Sequence, residues 1–349
     1  MFKRNARPLK PENSTSHQGS ARTASWLPTV LLAGALAFGG FAQDAFSGNP
    51  ALAGNFCSAT ADAAFTACEA EVEDDFWIAK GNCINVAKTG ARNQCNKAAD
   101  AEREEGLELC GEQFQARLDV CGLVGEGRYA PNFKPANFVD PAEIGDTVAT
   151  NPFFPLVVGN TWVYEGGGET VTVVVTSKTK LIAGVTCRVV NDLVEEDGAA
   201  IEDTDDWYAQ HLNGDVWYCG EIARDFETFE GDDPEEPELV SIDGSFKAGR
   251  DRAKPGILVL ASPEVGDAYR QEFALGEAED VAEVISTTGT ASVPFTSCVG
   301  DCVVTRDFTP LEPGALENKY YAAGVGPILE VDPETGERLE LIDFTPGTP

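Results

Sequence analysis

The stretch CINVAKTGARNQC, residues 83 to 95, lies at the centre of a symmetrical cysteine pattern. The spacings of 11, 15, 12, 15 and 11 positions read the same in both directions along six cysteines: Cys57, Cys68, Cys83, Cys95, Cys110 and Cys121. The mirror point is residue 89, in the dipeptide Thr89-Gly90. Because glycine favours a chain reversal, the symmetry predicts two segments that run in opposite directions from this point.

The cysteine spacing within each arm of the pattern is helical. A step of 11 residues advances an α-helix by three turns plus about 20°, and a step of 15 by four turns plus about 60°. We therefore predict two antiparallel helices, over residues 57–88 and 91–121, although Gly81-Asn82 leaves open a third helix that begins there. A disulfide needs Cα atoms within about 7 Å, which favours nested bonds: Cys57–Cys121, Cys68–Cys110 and Cys83–Cys95.

The rival interpretation of these cysteines is a metal or redox site. The chain has no C-x-x-C motif, and no histidine lies between Cys57 and Cys121, whereas zinc sites usually combine closely spaced cysteines with histidine. We predict structural disulfides, which persist in oxidising compartments, and no metal or cofactor.

The N-terminus is typical of a secretory signal. Residues 1–25 carry five basic residues and one acid, and the apolar run WLPTVLLAGALAFGGFA follows. This pattern predicts a signal peptide over residues 1–42, with a second candidate cleavage site after residue 53. The alternative is a retained membrane anchor, for which the run has the minimum length. A cleaved signal implies a secreted or periplasmic protein without stable membrane insertion.

The net charge of −33 excludes several kinds of partner. Removal of residues 1–42 would leave 20 Lys and Arg against 57 Asp and Glu, a net charge of −37. Such acidity excludes nucleic acid and disfavours anionic membrane surfaces. Acidic runs such as GDDPEEPE, residues 231–238, lack the ligand spacing of a calcium loop and indicate solvated loops.

The remainder of the chain changes from helical to β periodicity. After the hairpin, residues 55–122, a Pro- and Gly-rich linker over residues 123–159 contains four phenylalanines that we expect to pack on a neighbouring domain: Phe133, Phe138, Phe153 and Phe154. Residues 160–345 alternate apolar and polar positions in short runs between turn residues, which predicts antiparallel strands, and residues 346–349 form a tail. The predicted fold class is α+β: a disulfide-stapled antiparallel α-hairpin followed by an all-β antiparallel meander, as a curved sheet, half-barrel or sandwich.

Four cysteines fall in the β domain. Cys298 and Cys302 flank Val299-Gly300-Asp301, which predicts a tight hairpin loop with a disulfide across its neck. Cys187 and Cys219 then remain to pair with each other, and either could instead be a buried free thiol.

Several motifs of the β domain resemble a family of secreted bacterial proteins of uncharacterised function. The motifs are NPFFPLVVGNTWVYEGGGETVTV, IAGVTCRVVNDLVEEDG, DTDDWYAQ with GDVWYCGE, AKPGILVLASPEVGDAYRQEF and LENKYYAAGVGPILEVDPETGERLELI, within residues 151–345. The resemblance implies a secreted β-rich protein, assigns no catalytic residue, and implies an aromatic residue at the position of Cys219 in other members. The GVGPILEV type of strand is also similar to the half-barrel sheets of lipoprotein carriers, as an analogy of architecture only.

No pattern in the sequence identifies an activity. Beyond residue 42 the only histidine is His211, beside the turn Asn213-Gly214, and no G-x-S-x-G, phosphate-loop or H-E-x-x-H motif occurs. We predict a non-catalytic protein that binds an unknown ligand or envelope partner through its β domain. The alternatives are a carboxylate-dependent, carbohydrate-active hydrolase and a purely structural envelope component.

Export can be tested by N-terminal sequencing of the protein purified from the producing cell. The chain should start near Gln43 or Gly54, because these residues follow the two candidate cleavage sites. An intact Met1 would contradict export with cleavage.

Overall fold

The computed structural model describes residues 54–348. The predicted signal peptide and both of its candidate cleavage sites therefore lie outside the described residues. Within residues 54–348 no helix is both long enough and apolar enough to cross a membrane.

Two long helices form the predicted hairpin. Helix α1 spans Phe56–Ile84 and runs without interruption through Gly81-Asn82, and helix α2 spans Thr89–Val124. The reversal occupies residues 85–88, just before the mirror point, because Lys88 is extended and Thr89 already begins α2. The two helices meet through small buried residues, such as Ala61 and Ala99.

Three nested disulfides crosslink the hairpin. The Cα–Cα distances are 5.6 Å for Cys57–Cys121, 5.7 Å for Cys68–Cys110 and 5.6 Å for Cys83–Cys95. The pairing predicted from the spacing is therefore confirmed. Because these crosslinks constrain the unfolded chain, the hairpin needs little apolar interface of its own.

A single antiparallel sheet of 15 strands follows the hairpin. A 3-10 turn at Pro135–Asn137 precedes it. The strands are β1 Thr161–Gly166, β2 Glu169–Ile182, β3 Val185–Glu196, β4 Ala199–Gln210, β5 Val216–Ile222, β6 Asp225–Glu227, β7 Glu238–Ser241, β8 Lys254–Val259, β9 Ala268–Arg270, β10 Glu272–Phe273, β11 Val281–Ser292, β12 Ser297–Phe308, β13 Leu316–Ala322, β14 Gly326–Val331 and β15 Arg338–Thr345. This architecture confirms the predicted α+β fold class.

The sheet nearly closes on itself. Its order is β10-β8-β5-β4-β3-β2-β1-β15-β14-β13-β12-β11-β9, with β6 and β7 attached beside β4. The two terminal strands, β9 and β10, are separated in the chain by Gln271 alone. Gly256 of β8 permits this closure, because a Cβ atom there would lie 2.1 Å from the Gln271 carbonyl oxygen. The Gln271 amide spans the seam by donating to Leu258 O and Asp307 Oδ2, each at 3.2 Å.

The main hydrophobic core lies on the inner face of the sheet and is covered by the proline-rich segment. Phe154 stacks on Trp162 with ring centroids 5.5 Å apart, and the Trp162 indole donates to Val325 O at 2.8 Å. A smaller core on the other side of β3–β5 receives Phe133 and Phe138, which pack against Trp217. The phenylalanines of residues 123–159 thus pack on the sheet, as their apolar character predicts.

The two remaining disulfides lie in the sheet. Cys187 of β3 is bonded to Cys219 of β5, with a Cα–Cα distance of 6.8 Å. Cys298 is bonded to Cys302, but the prediction of a hairpin neck is wrong, because both cysteines belong to β12. They face Ala291 and Gly289 of β11 across an irregular register, so the disulfide closes a bulge within one strand, and the β11–β12 turn occupies residues 293–296.

Partly buried Glu202 of β4 predicts a pH-dependent stability. Burial, reinforced by the charge of Asp192, raises the pKa of Glu202 from 4.5 to about 8. A raised folded-state pKa contributes stability that is complete below the unfolded value and is lost as pH rises through the folded value. We expect the free energy of unfolding to fall by at least about 1 kcal/mol between pH 6 and pH 9, or about 2–4 °C in Tm.

Glu202→Gln should flatten this dependence, measured by thermal unfolding across that pH range. The exposed Glu196, at the end of the neighbouring strand β3, supplies a matched control as Glu196→Gln. Equal pH dependence in wild type and Glu202→Gln would contradict the assignment.

Candidate functional site

A cleft of about 460 Å³ lies where the open ends of the helical hairpin meet strands β8, β9 and β10. We call it the basic cleft. Its charged lining consists of four cations and one carboxylate, and its aromatic lining of five rings: Arg117, Arg128, Lys254, Arg270 and Glu279, with Phe56, Tyr129, Trp217, Tyr269 and Phe273. In a chain with a net charge of −33, this excess of cations is a local reversal of sign.

The outermost disulfide and the turn after α2 shape one wall of the basic cleft. Cys57–Cys121 joins the start of α1 to the end of α2, and both cysteines line the cleft. Beyond α2 the chain folds back, and the Glu126 carboxylate accepts hydrogen bonds from the Ser58 hydroxyl and from Ser58 N at 3.0 Å. These bonds lower the pKa of Glu126 and satisfy a free backbone donor at the start of α1. The turn places the Arg128 guanidinium 4.7 Å from the Phe56 ring centroid.

A buried ion pair fixes the hairpin to the sheet. Arg117 of α2 donates to Glu279 through Nε at 3.0 Å and through Nη2 at 2.8 Å, in a bidentate arrangement. The two side chains are only 6% and 3% exposed. Gly276 N also donates to Glu279 Oε1, at 2.9 Å. The carboxylate comes from the loop between β10 and β11, so this pair connects two distant parts of the chain.

The opposite wall carries two cations on aromatic rings. Lys254 and Arg270 each lie 5.2 Å from the Phe273 centroid and 5.9 Å from the Tyr129 centroid. Tyr129 is held in place by donating its hydroxyl to Pro255 O at 2.8 Å. Burial lowers the pKa of Arg270, and burial together with the charge of Arg128 lowers the pKa of Lys254.

Three of these cations have no carboxylate partner. Within residues 54–348 neither Arg128, Lys254 nor Arg270 forms an ion pair. Lys254 donates to the Tyr129 carbonyl, and Arg270 Nη2 lies 3.3 Å from Cys57 Sγ, a weak acceptor. Arg270 is buried, Lys254 is half-buried and Arg128 is exposed, and Glu279 is the one carboxylate of the lining, so the cleft keeps a net positive potential.

Two buried donors of the lining also lack an acceptor. Arg117 Nη1 and Trp217 Nε1 are inaccessible to solvent and have no hydrogen-bond partner among residues 54–348. A buried donor without an acceptor costs about 1–3 kcal/mol, and both residues line the basic cleft.

The cysteines singled out from the sequence are distributed over the whole structure. Cys57 and Cys121 line the basic cleft. Four others crosslink the hairpin away from the cleft: Cys68, Cys110, Cys83 and Cys95. The remaining four lie in the sheet: Cys187, Cys219, Cys298 and Cys302.

Sequence reasoning missed the cationic residues of the cleft. The only signal was the adjacency of a cation and a ring in Arg128-Tyr129 and Tyr269-Arg270. Neither dipeptide forms a motif with its neighbours, so neither indicates a site when read alone.

His211 belongs to the turn between β4 and β5. Its Nδ1 lies 2.8 Å from Asn213 Oδ1, and its ring packs against Phe138 and Trp217. These contacts indicate that His211 stabilises the turn between β4 and β5.

A second group of titratable side chains lies on the inner face of the sheet. The Tyr218 hydroxyl lies within hydrogen-bonding distance of both the Asp206 and the Glu221 carboxyl groups. Farther round the sheet, Lys319 Nζ lies 3.5 Å from Glu330 and 3.8 Å from Asp307. Burial raises the pKa of Asp206, Asp307 and Glu330.

The inner carboxylates are paired with tyrosine and lysine and are almost completely buried. A carboxylate hydrolase needs acids that face bound substrate, and burial at this level favours an internal role for these groups. Within residues 54–348 no three His, Cys, Asp or Glu side chains are arranged to hold a metal ion.

Comparisons with protein-family models, with curated proteins and with solved structures found no match to this chain. The resemblance to secreted bacterial proteins stays a prediction. The site must therefore be interpreted from its own geometry.

The docking role of the buried ion pair can be tested by unfolding. Arg117→Met should lower the free energy of unfolding by about 3–5 kcal/mol, because Glu279 is left buried without a counter-charge. Arg117→Met combined with Glu279→Leu should recover most of that loss. Urea unfolding under non-reducing conditions measures both values.

The exposed pair Arg338–Glu340 gives the control for this experiment. Its atoms are 2.7 Å apart, but the side chains are 42% and 31% exposed, so Arg338→Met should cost less than about 1 kcal/mol. Equal losses for the single and double substitutions at Arg117 and Glu279 would contradict the account.

Proposed function

We propose that this protein is a non-catalytic binding protein whose basic cleft holds a small organic anion. The observation that carries the proposal is a cluster of three cations on the wall of one cleft, Arg128, Lys254 and Arg270, which form no ion pair with any carboxylate of residues 54–348. Organic anions here are molecules with a carboxylate, sulfate or phosphate group attached to an apolar body.

Charge supports the anionic part of this ligand. A carboxylate or phosphate accepts charge-assisted hydrogen bonds from guanidinium and ammonium groups, and these are about twice as strong as neutral ones. Because the rest of the chain is acidic, this cleft is a favourable location for an anion on an otherwise repulsive molecule.

The rings and the size of the cleft support an apolar body on the ligand. Phe56, Trp217 and Phe273 contribute apolar lining, together with Ile257 and Leu275. A volume of about 460 Å³ lies within the range of about 300–1,000 Å³ for small-molecule sites. An inorganic ion alone would leave most of this volume unused.

Fluorescence titration with anilinonaphthalene sulfonate, an aromatic anion, tests the proposal. The intact protein should enhance the fluorescence of the probe, and the affinity should fall with added salt. Lys254→Gln and Arg270→Gln should each weaken binding at least about tenfold, because each removes a charge-assisted hydrogen bond.

Two controls separate this site from general apolar binding. The exposed Lys178 of β2 lies outside the cleft, so Lys178→Gln should leave the affinity unchanged. The neutral analogue N-phenylnaphthylamine should bind more weakly than the sulfonate to wild type. Equal binding of the two probes, or equal effects of Lys254→Gln and Lys178→Gln, would overturn the proposal.

A further inference from the structure

The far end of the helical hairpin differs in charge from the rest of the molecule. Residues 76–99, which we call the hairpin tip, contain four basic residues and no acidic residue: Lys80, Lys88, Arg92 and Lys97. The whole chain has more than twice as many acidic as basic residues, 58 against 25. The hairpin tip is therefore a cationic end on an acidic protein.

The hairpin tip also exposes large apolar side chains. Trp77 is 66% exposed, Ile78 56% and Ile84 75%. Trp77 and Ile84 are seven residues apart and so lie on the same face of α1. Exposed rings and branched side chains of this size, grouped at one end of an element, mark an interaction surface.

Two of the four cations of the hairpin tip are exposed and available to a partner. Lys80 is paired with Asp100 at 2.8 Å, and Arg92 Nη1 donates to Val86 O at 3.3 Å. Lys88 and Lys97 are exposed. No hydrogen bond, ion pair or ring contact within residues 54–348 joins the hairpin tip to the sheet.

The acidic residues that border the hairpin tip belong to the helices themselves, Glu73, Asp74, Asp75 and Asp100, whereas the acidic sheet is distant. The 26 helical steps from Cys57, beside the sheet, to Cys83 correspond to about 39 Å, several times the Debye length of about 8 Å at physiological ionic strength. The net charge of the chain predicts repulsion from anionic membranes, but the local charge of the hairpin tip has the opposite sign. The Cys83–Cys95 disulfide holds this end in one conformation.

We propose that the hairpin tip docks on the surface of an anionic phospholipid bilayer. Trp77, Ile78 and Ile84 enter the interface between headgroups and acyl chains, where tryptophan is favoured. Lys88 and Lys97 contact the lipid phosphates, and each basic residue near such a surface contributes about 1 kcal/mol. This inference is independent of the ligand of the basic cleft.

Area favours a bilayer over a protein partner. The three exposed apolar side chains offer on the order of a few hundred Å², whereas a stable protein interface buries at least roughly 1,000 Å². The end of a two-helix hairpin is convex, so a rigid partner would need a matching pocket. A bilayer is deformable and accepts a convex end without one.

Vesicle co-sedimentation of the protein, as isolated from the producing cell, tests the proposal. We expect binding to vesicles that contain phosphatidylglycerol at low ionic strength, and at least tenfold weaker binding to vesicles of phosphatidylcholine alone. The double variant Lys88→Glu, Lys97→Glu should weaken binding to the anionic vesicles at least tenfold. Trp77→Ala should weaken binding to both kinds of vesicle.

A matched control changes the same charge elsewhere. Lys134 and Lys178 are exposed and lie outside the hairpin, so Lys134→Glu, Lys178→Glu should bind as wild type does. Circular dichroism should show the same helical signal for all variants. Absence of binding to anionic vesicles, or equal losses in the tip and control variants, overturns the proposal; in the first case a protein becomes the better candidate partner.

Discussion

The buried ion pair between Arg117 and Glu279 is the interaction on which the arrangement of this protein depends. The disulfides hold the hairpin together, but they contain no link between the hairpin and the sheet. Few side-chain hydrogen bonds join the hairpin to the sheet. Of these, the Arg117–Glu279 pair is both bidentate and buried. A pair of this kind is costly to break by removal of one partner, so it fixes the position of the hairpin more than it adds to stability.

The same docking creates the basic cleft. Because the ends of both helices are held beside β8–β10, Arg128 from the turn after α2 faces Lys254 and Arg270 from the sheet edge. The near closure of the sheet at Gln271 places β9 next to β10 and thereby brings Arg270 and Phe273 to one wall. Glu279 neutralises Arg117, which leaves the other three cations to set the sign of the potential. The net positive charge of the cleft thus follows from the excess of cations over the single carboxylate in its lining.

Much of the fold could be predicted from the sequence because its strongest signals are periodic. The cysteine spacing combines helical periodicity with the short reach of a disulfide, and only the nested pairing satisfies both. Alternation with a period of two likewise identifies strands such as β1 and β15. The spacing of Cys298 and Cys302 does not distinguish a loop between strands from a bulge within one strand, since either brings the two sulfurs together. The register of β11 against β12, which decides between them, is set by distant packing.

The basic cleft could not be predicted in the same way. Arg117 and Arg270 are 153 positions apart in the chain, and no local pattern connects them. Their proximity depends on the closure of the sheet and on the docking of the hairpin, both of which are properties of the assembled fold. By contrast, the cationic hairpin tip is visible in the sequence as an interval without acidic residues. Only the exposure of Trp77 and Ile84 in the structure indicates that this interval is an interaction surface.

Native mass spectrometry of the protein purified from its own cell, without detergent, shows whether the basic cleft holds an anion. We expect a bound species of small-molecule mass that is released as an anion and is absent from Arg270→Gln purified in the same way. A bare polypeptide in the wild type, short only of the hydrogens lost in its disulfides, or a bound species that persists in Arg270→Gln, would contradict this expectation.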